Sequence, residues 1–411
     1  MKRFTSVSSR VAAATIALAA VAGCSSSKLG VHSARKSSLI HQDSSLALTR
    51  FVQPPHVSTK AWQWRSIFAL GAPMQSMVEP VALGGGEWIV VTLGGGIGRW
   101  NLEKGFARWQ IDVDPGVASR PLVTGASLYF AGMDAQLRKV NLNNGQIVWS
   151  RKLTAESLGG IAASGGFLFV NTADDTLAAI DEKTGNMLWT YKRPSTKANV
   201  YWSLRGQAVP TLSKDGKKLF LGFSDGTFVA LEAVSGQTLW ERKFDQVLRV
   251  ADVDLSAVLS ADQTKLFMVH ADGALYALNT ADGSVAWTMA GASASAPFLD
   301  EKGEYLYQGT RNGEVRKLSA RNGGVVWTST IKNPGHISSV RKTDSGLLVF
   351  SGSHAGIFFV NDRDGRLVHE VRTGYGPIAP AAIEGDRIFV ISPRNNLMRF
   401  RYIPSTVKSK S

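Results

Sequence analysis

Gly222-Phe223-Ser224-Asp225-Gly226 has the G-x-S-x-G spacing of a serine nucleophile elbow. An elbow needs a strand, a sharp turn and then a helix, so that the hydroxyl stands exposed above a sheet. Here the surrounding FLGFSDGTFVAL reads strand, turn, strand, which predicts a hairpin turn instead. Asp252 and Asp254 could act as paired carboxylates, but an extended D-x-D in a loop is a weak sign of acid–base chemistry. The seven histidines are scattered, with no H-E-x-x-H and no Cys/His cluster to hold zinc. The glycine runs Gly84–Gly86 and Gly94–Gly96 lack the G-x-G-x-x-G spacing, and no helix follows them. The chain is therefore read as non-enzymatic, with no catalytic residue, metal or cofactor assigned.

The elements around these residues are repeats. NLNNGQIVW ends at Trp149, DEKTGNMLW at Trp189, EAVSGQTLW at Trp240 and ARNGGVVW at Trp327. NLEKGFARW ends at Trp109, TADGSVAW at Trp287, and NDRDGRLVH puts His369 in the Trp position. In every copy a turn glycine lies four positions before the anchor: Gly105, Gly145, Gly185, Gly236, Gly283, Gly323 and Gly365. The anchor-to-anchor steps are 40, 40, 51, 47, 40 and 42 residues. A period in the low forties with four short strands per unit is the sign of a β-propeller blade. The Trp is expected to act as a buried wedge between neighbouring blades.

Seven anchored units are visible, and RIFVISPRNNLMRFRYI (387–403) begins an eighth that lacks its outer strand. AWQWRS (61–66) resembles an orphan outer strand. The expected fold is all-β: an eight-bladed propeller of four-stranded antiparallel blades over 61–404, its ring closed by pairing of the N- and C-terminal segments. Either Trp62 or Trp64 would fill the wedge of the closing blade. Residues 405–411 are expected to form a disordered tail.

MKRFTSVSSR is basic, VAAATIALAAVA is apolar, and VAGC follows. This is a signal peptide, 1–23, whose apolar run is too short for a stable transmembrane helix. Val21-Ala22-Gly23-Cys24 matches the bacterial lipobox, in which the cysteine after the cut carries lipid. Cys24 is the only cysteine, which excludes an internal disulfide. Ser25, rather than Asp, follows it and favours passage to the outer membrane. Residues 24–60 are rich in Ser and basic residues and read as a flexible tether, spanning on the order of 30–40 Å.

The net charge is +14, and removal of a signal carrying Lys2, Arg3 and Arg10 leaves +11. A lipid-anchored exported protein meets little nucleic acid, so anionic lipid or an acidic protein partner is the expected counterpart.

Insertions in a regular ring mark function. The two longest steps, 51 and 47, are consecutive, and their excess lies in 191–211 and 241–259. Both segments follow an outer strand and lead into the next blade, so both emerge on one face of neighbouring blades. Together they offer Trp202, Leu204, Arg205, Arg249, Asp252 and Asp254, a mixture of aromatic, apolar, Arg and carboxylate groups suited to a protein-binding hot spot. The bland alternative is that these side chains pack and pair among themselves.

The A-L-D-x-x-T-G-x-x-x-W style resembles the repeats of quinoprotein dehydrogenases, but those enzymes use adjacent, bridged cysteines against the quinone, and this chain has one cysteine. Through SLRGQAVPT and RVADVDLSAV, with the lipobox, the chain more closely resembles the BamB family, lipoproteins of the outer-membrane β-barrel assembly machinery. That resemblance implies a propeller without cofactor, anchored on the periplasmic side of the outer membrane. It also implies that the two loops grip the POTRA domains of BamA, the barrel-forming subunit, with the chain a monomer within the complex that assists insertion of unfolded outer-membrane proteins. The family's Leu-x-Leu-Arg reads Trp202-Ser203-Leu204-Arg205 here, and both aspartates of its second loop are present as Asp252 and Asp254. A periplasmic quinoprotein-type ligand-binding propeller or dehydrogenase is the alternative.

Replacing Cys24 by Ala is expected to block both palmitate labelling and cleavage before residue 24. A variant that is still cut there and still labels would refute the lipobox reading.

Overall fold

The computed structural model describes residues 62–69, 78–92, 96–102, 104, 106–193, 208–244, 256–270, 273–291, 295–335, 337–354, 356–372, 380–385, 387–391 and 396–402. The expected signal peptide, Cys24, the tether and the tail lie outside these residues.

The architecture is an all-β propeller of four-stranded antiparallel blades. Seven sheets are each built from four consecutive strands, and we number them blades 1 to 7: 81–111, 122–152, 161–192, 211–243, 258–289, 298–330 and 341–372. An eighth four-stranded sheet is composite. Ala382–Glu384, Arg387–Ile391 and Asn396–Tyr402 supply three strands, and Trp62–Ala69 pairs antiparallel with the last of them, Trp62 opposite Tyr402 and Ala69 opposite Asn396. Against the expected eight blades, the structure has seven contiguous blades, and beside them one composite sheet drawn from both ends of the described strand order. The side chains of Trp62 and Trp64 lie outside the described residues.

Sequence pattern and position agree within a blade. The two middle strands carry near-continuous apolar runs, as in FLFVNT and TLAAID of blade 3, because neighbouring blades cover both of their faces. The fourth strand alternates between exposed and half-buried positions, as in MLWTYK and TLWERK, because only one of its faces meets a neighbour. A core cluster joins each blade to the next. Phe169, Leu177 and Ala179 of blade 3 meet Leu219, Leu221 and Val229 of blade 4. The composite sheet packs on blade 7 through Ile388 and Val390, against Val349 and Phe359. It packs on blade 1 through Ala382 and Phe389, against Trp88 and Val90.

The repeated glycine and tryptophan meet across blades. In blades 2 to 7 the turn glycine has φ between 71° and 76°. A Cβ built on it would lie 2.6–2.8 Å from the ring of the preceding blade's anchor. Trp109 thus lies on Gly145, Trp149 on Gly185, Trp189 on Gly236, Trp240 on Gly283, Trp287 on Gly323 and Trp327 on Gly365. Only glycine satisfies both the backbone angle and the close approach of the ring. A β-bulge just beside each anchor, as between Ala179 and Ile180 opposite Trp189, turns the strand at this point. The rings are half-buried instead of enclosed, since the turn they cover lies at the rim.

The indole N–H groups differ. Trp109 donates to the Leu142 carbonyl at 2.9 Å, Trp240 to Thr280 at 3.0 Å and Trp327 to Asp362 at 2.9 Å. The Nε1 atoms of Trp189 and Trp287 are buried without a hydrogen-bond partner among the described residues. His369, in the anchor position of blade 7, is buried and lies 5.6 Å from the Phe359 ring, and burial pushes its pKa down to about 4. The next sheet has no turn between its third and fourth strands, because these are the two ends of the strand order. Among the described residues no turn glycine faces His369, so nothing there calls for an indole.

At two interfaces a middle-strand tyrosine meets a charged group of the next blade. Tyr129 OH donates to Glu182 at 2.8 Å, and the Lys139 ammonium reaches the Glu182 carbonyl at 3.1 Å. Between blades 6 and 7, Asp362 accepts from Tyr307 OH at 2.6 Å, Lys317 at 2.8 Å and Lys342 at 2.6 Å. Burial works against the Asp362 charge, but the two lysines outweigh it and hold its carboxyl below the usual range.

Trp240→Phe is expected to destabilise the protein by roughly 1–2 kcal/mol more than Trp189→Phe, because it strands the Thr280 carbonyl while the other change removes an unpaired donor. Urea unfolding midpoints of the two variants measure the difference; equal losses would show that the indole hydrogen bond contributes nothing.

Candidate partner-binding face

The two long connections occupy 194–207 and 245–255. Trp202, Leu204 and Arg205 in the first, and Arg249, Asp252 and Asp254 in the second, lie outside the described residues. The structure does describe the frame from which both connections leave and to which both return.

The first connection leaves blade 3 after Arg193, which directly follows the outer strand Met187–Lys192. The Arg193 side chain turns toward blade 4. Its Nε and Nη2 donate to Asp225 at 3.2 and 3.0 Å, Nη1 donates to both Glu241 oxygens at 3.2 and 3.1 Å, and Nη2 reaches Thr227 Oγ1 at 3.2 Å. Tyr191 OH donates to the same Glu241 at 2.6 Å and accepts from Arg193 Nη1 at 3.3 Å. Burial works against the Arg193 charge, but its bonds to Tyr191 and Asp225 hold its pKa above the ordinary value. Burial, then the Glu241 carboxylate, raises the Tyr191 phenol. Glu241 belongs to Thr238–Lys243, the outer strand from which the second connection departs after Phe244. One guanidinium therefore ties the two departure points together.

The return points are also joined. Val209 N donates to Ser256 Oγ at 3.0 Å, and Thr211 Oγ1 donates to the Ala257 carbonyl at 2.9 Å. These residues open the innermost strands Thr211–Leu212 and Val258–Leu259. Both connections thus start and end within hydrogen-bonded pairs of neighbouring residues, on one face of blades 3 to 5.

The G-x-S-x-G stretch belongs to the same face and has a structural role. Phe223–Gly226 is the hairpin turn between Lys218–Gly222 and Thr227–Glu232. Ser224 donates both its N–H, at 3.2 Å, and its hydroxyl to the buried Asp175 of blade 3. The serine is an inter-blade clasp.

Sequence reasoning missed Arg193 as a clamp, although it lies inside the flagged 191–211 segment. Its partners Asp225 and Glu241 are 32 and 48 residues away. The available signal was an Arg placed directly after an outer strand at the start of an insertion.

A family model described as outer membrane protein assembly factor BamB matches residues 58–161, 94–258 and 251–403. An assembly factor BamB from Moranella endobia is 24% identical over 65% of this chain and 67% of its own length. Five other BamB sequences match over 33–49% of their own length, so the chain spans less than half of each. A quinohemoprotein alcohol dehydrogenase from Comamonas testosteroni is 26% identical over 26% of this chain and 15% of its own. The crystal structure of BamB from Moraxella catarrhalis superposes with a TM-score of 0.68 at 16% identity, covering 86% of this chain and all of that one, and shares the fold.

Arg193→Ala is expected to lower stability by about 3 kcal/mol, because it leaves the buried Asp225 carboxylate without its cation. Arg193→Lys should recover little of this, since one ammonium cannot reach Asp225, Glu241 and Thr227 together. Chemical denaturation checks both; a loss under about 0.5 kcal/mol for the alanine variant would show the clamp to be dispensable.

Proposed function

The chain belongs to the outer membrane protein assembly factor BamB family, and we propose that it acts there as a non-enzymatic scaffold, binding the POTRA domains of a BamA-like barrel subunit and assisting insertion of outer-membrane proteins. The observation that carries this reading is the pairing of the two long connections. They are the only expanded inter-blade steps in the sequence, they are consecutive, and their described ends are bonded to each other at departure and at return. Such a frame would hold Trp202, Leu204, Arg205, Arg249, Asp252 and Asp254 on one surface. Arg205 can fork two hydrogen bonds to a partner carbonyl or carboxylate. Asp252 and Asp254 can accept from partner Lys, Arg or backbone N–H groups, and Leu204 or Trp202 can fill an apolar pocket.

The remaining parts of the proposal follow the chain. Residues 1–23 serve as signal peptide, Cys24 carries the lipid, and 24–60 tether the propeller to the periplasmic side of the outer membrane. A ring of eight blades closed by both ends of the chain is supported by the composite sheet, which packs on blade 7 on one side and on blade 1 on the other. The short likeness to a quinohemoprotein dehydrogenase favours a second reading, a quinone-binding propeller. A single cysteine leaves no bridged pair to set against a quinone, and this weighs toward the scaffold.

Two experiments test the proposal. Affinity purification of the lipidated protein from detergent-solubilised outer membranes should recover a POTRA-containing barrel protein; a quinone absorbance in its place would favour the second reading. Arg205→Ala, and Asp252→Ala with Asp254→Ala, should each weaken binding to that protein by about 30-fold, roughly 2 kcal/mol, with unchanged melting temperature. Normal binding by both folded variants would exclude this site. A large fall in melting temperature would instead show that these side chains hold the loops together.

A further inference from the structure

Glu79, Arg120, Gly160, Val209 and Ser256 occupy one equivalent position in blades 1 to 5. Each lies two residues before the inner-strand residue that pairs with Ile89, Tyr129, Phe169, Phe220 or Phe267. The long connections return to the blades at Val209 and Ser256, so Glu79 and Arg120 open their inner strands on that same face. Arg341 of blade 7 donates to the Glu79 carboxylate through Nε at 3.2 Å and Nη2 at 2.8 Å. This bond joins blade 7 to blade 1 with the composite sheet between them. It can be made only where the innermost strands converge, at the mouth of the central channel.

Arg341 satisfies Glu79 in a fork, and Arg120 is left over. Its Nη2 lies 3.6 Å from Glu79, and its side chain is 54% exposed against 10% for Glu79. Among the described residues its guanidinium makes no hydrogen bond. An exposed pair at that distance contributes little to stability, and the three groups together carry one net positive charge. The Arg120 backbone is nevertheless fixed, its N–H donating to the Gly159 carbonyl at 2.6 Å. Gly160 keeps the space beside it open. A Cβ there would lie 2.9 Å from Val209 Cγ2 and 3.4 Å from Arg120 Cβ. One bare glycine therefore separates Arg120 from the residue where the first long connection lands.

We infer that Arg120, backed by Arg341, extends the partner surface of the two long connections into the channel mouth and receives a carboxylate side chain of the protein partner. This rests on the scaffold reading above. A guanidinium presents parallel N–H groups that match a carboxylate in a fork, and an incoming carboxylate would bring the Glu79 cluster to neutrality.

The test titrates the full-length protein in detergent against the full-length POTRA-containing barrel subunit of the same organism, at low and high salt. Wild type, Arg120→Ala, Arg120→Lys and Arg205→Ala are compared, with melting temperatures alongside. Arg120→Ala is expected to bind roughly tenfold more weakly at low salt, with a smaller loss at high salt and an unchanged melting temperature, and Arg120→Lys to recover part of the affinity. If Arg120→Ala binds within about twofold of wild type while Arg205→Ala is weakened, the channel-mouth site is wrong and the scaffold reading stands. If wild type does not bind, both fall. A melting temperature lowered together with affinity would assign Arg120 a structural role and overturn the inference. Calorimetry with sodium acetate is the last arm. Saturable acetate binding that is lost in Arg120→Ala, with partner affinity unchanged, would make this a small-anion site and overturn the assignment to a protein partner.

Discussion

The contact of each tryptophan with the glycine of the next blade is the constraint on which the rest of the structure depends. It sets the rotation from one blade to its neighbour, because the ring can lie on the turn only if no side chain stands there. The glycine must also hold a positive φ, so its two requirements coincide in one residue type. With this contact repeated through blades 1 to 7, the remaining interface residues are freer to vary. Blades 3 and 4 meet through Phe169, Ala179 and Val229 with Arg193 paired to Asp225, whereas blades 6 and 7 meet through Val315, Leu348 and Phe358 with Asp362 paired to two lysines. A buried ion cluster is weak as a source of net stability, since desolvation offsets most of its attraction. That different ion pairs sit at different interfaces of one fold is consistent with the wedge, not the charge, fixing the geometry.

The same constraint explains where function is free to enter. Connections from an outer strand to the next inner strand do not take part in the wedge, so their length can change without altering blade rotation. The expanded pair lies on consecutive blades, and Arg193 binds their departure points through Asp225 and Glu241. Ser224 and Asp175 clasp the turns beside them. Polar bonds on this face thus join the described ends of both connections to the neighbouring blade.

Much of this was legible in the sequence because Gly and Trp are chemically singular and sit four residues apart in every copy. A spacing that strict survives large changes elsewhere in the blade. The middle strands were legible as apolar runs. The innermost strands were not, since several pair over two residues only, such as Thr211–Leu212 and Arg341–Lys342, too short for any period to show. The half-buried state of the indoles was also hidden, because it depends on how near the rim the turn lies. Charge pairs were the least legible. Arg341 and Glu79 are 262 residues apart, and neither residue differs by type or neighbours from ordinary surface residues. The replacement of Trp by His369 was visible as an exception, yet its cause, a sheet without a turn glycine, appears only once both ends of the strand order are seen together.

The composite sheet has a consequence for the order of events in folding. Among the described strands Trp62–Ala69 is the first to be made, and its sole neighbour in the sheet, Asn396–Tyr402, is the last. Blades 1 to 7 can form from local hairpins as the chain grows, but the earliest strand must wait, unpaired, for more than three hundred residues. Until then the nascent propeller is an open arc with blade 1 and blade 7 each bare on one flank, and a truncated chain would remain in that sticky form. Pairing of Asn396–Tyr402 with Trp62–Ala69 completes one sheet that packs on blade 7 and on blade 1 at the same time.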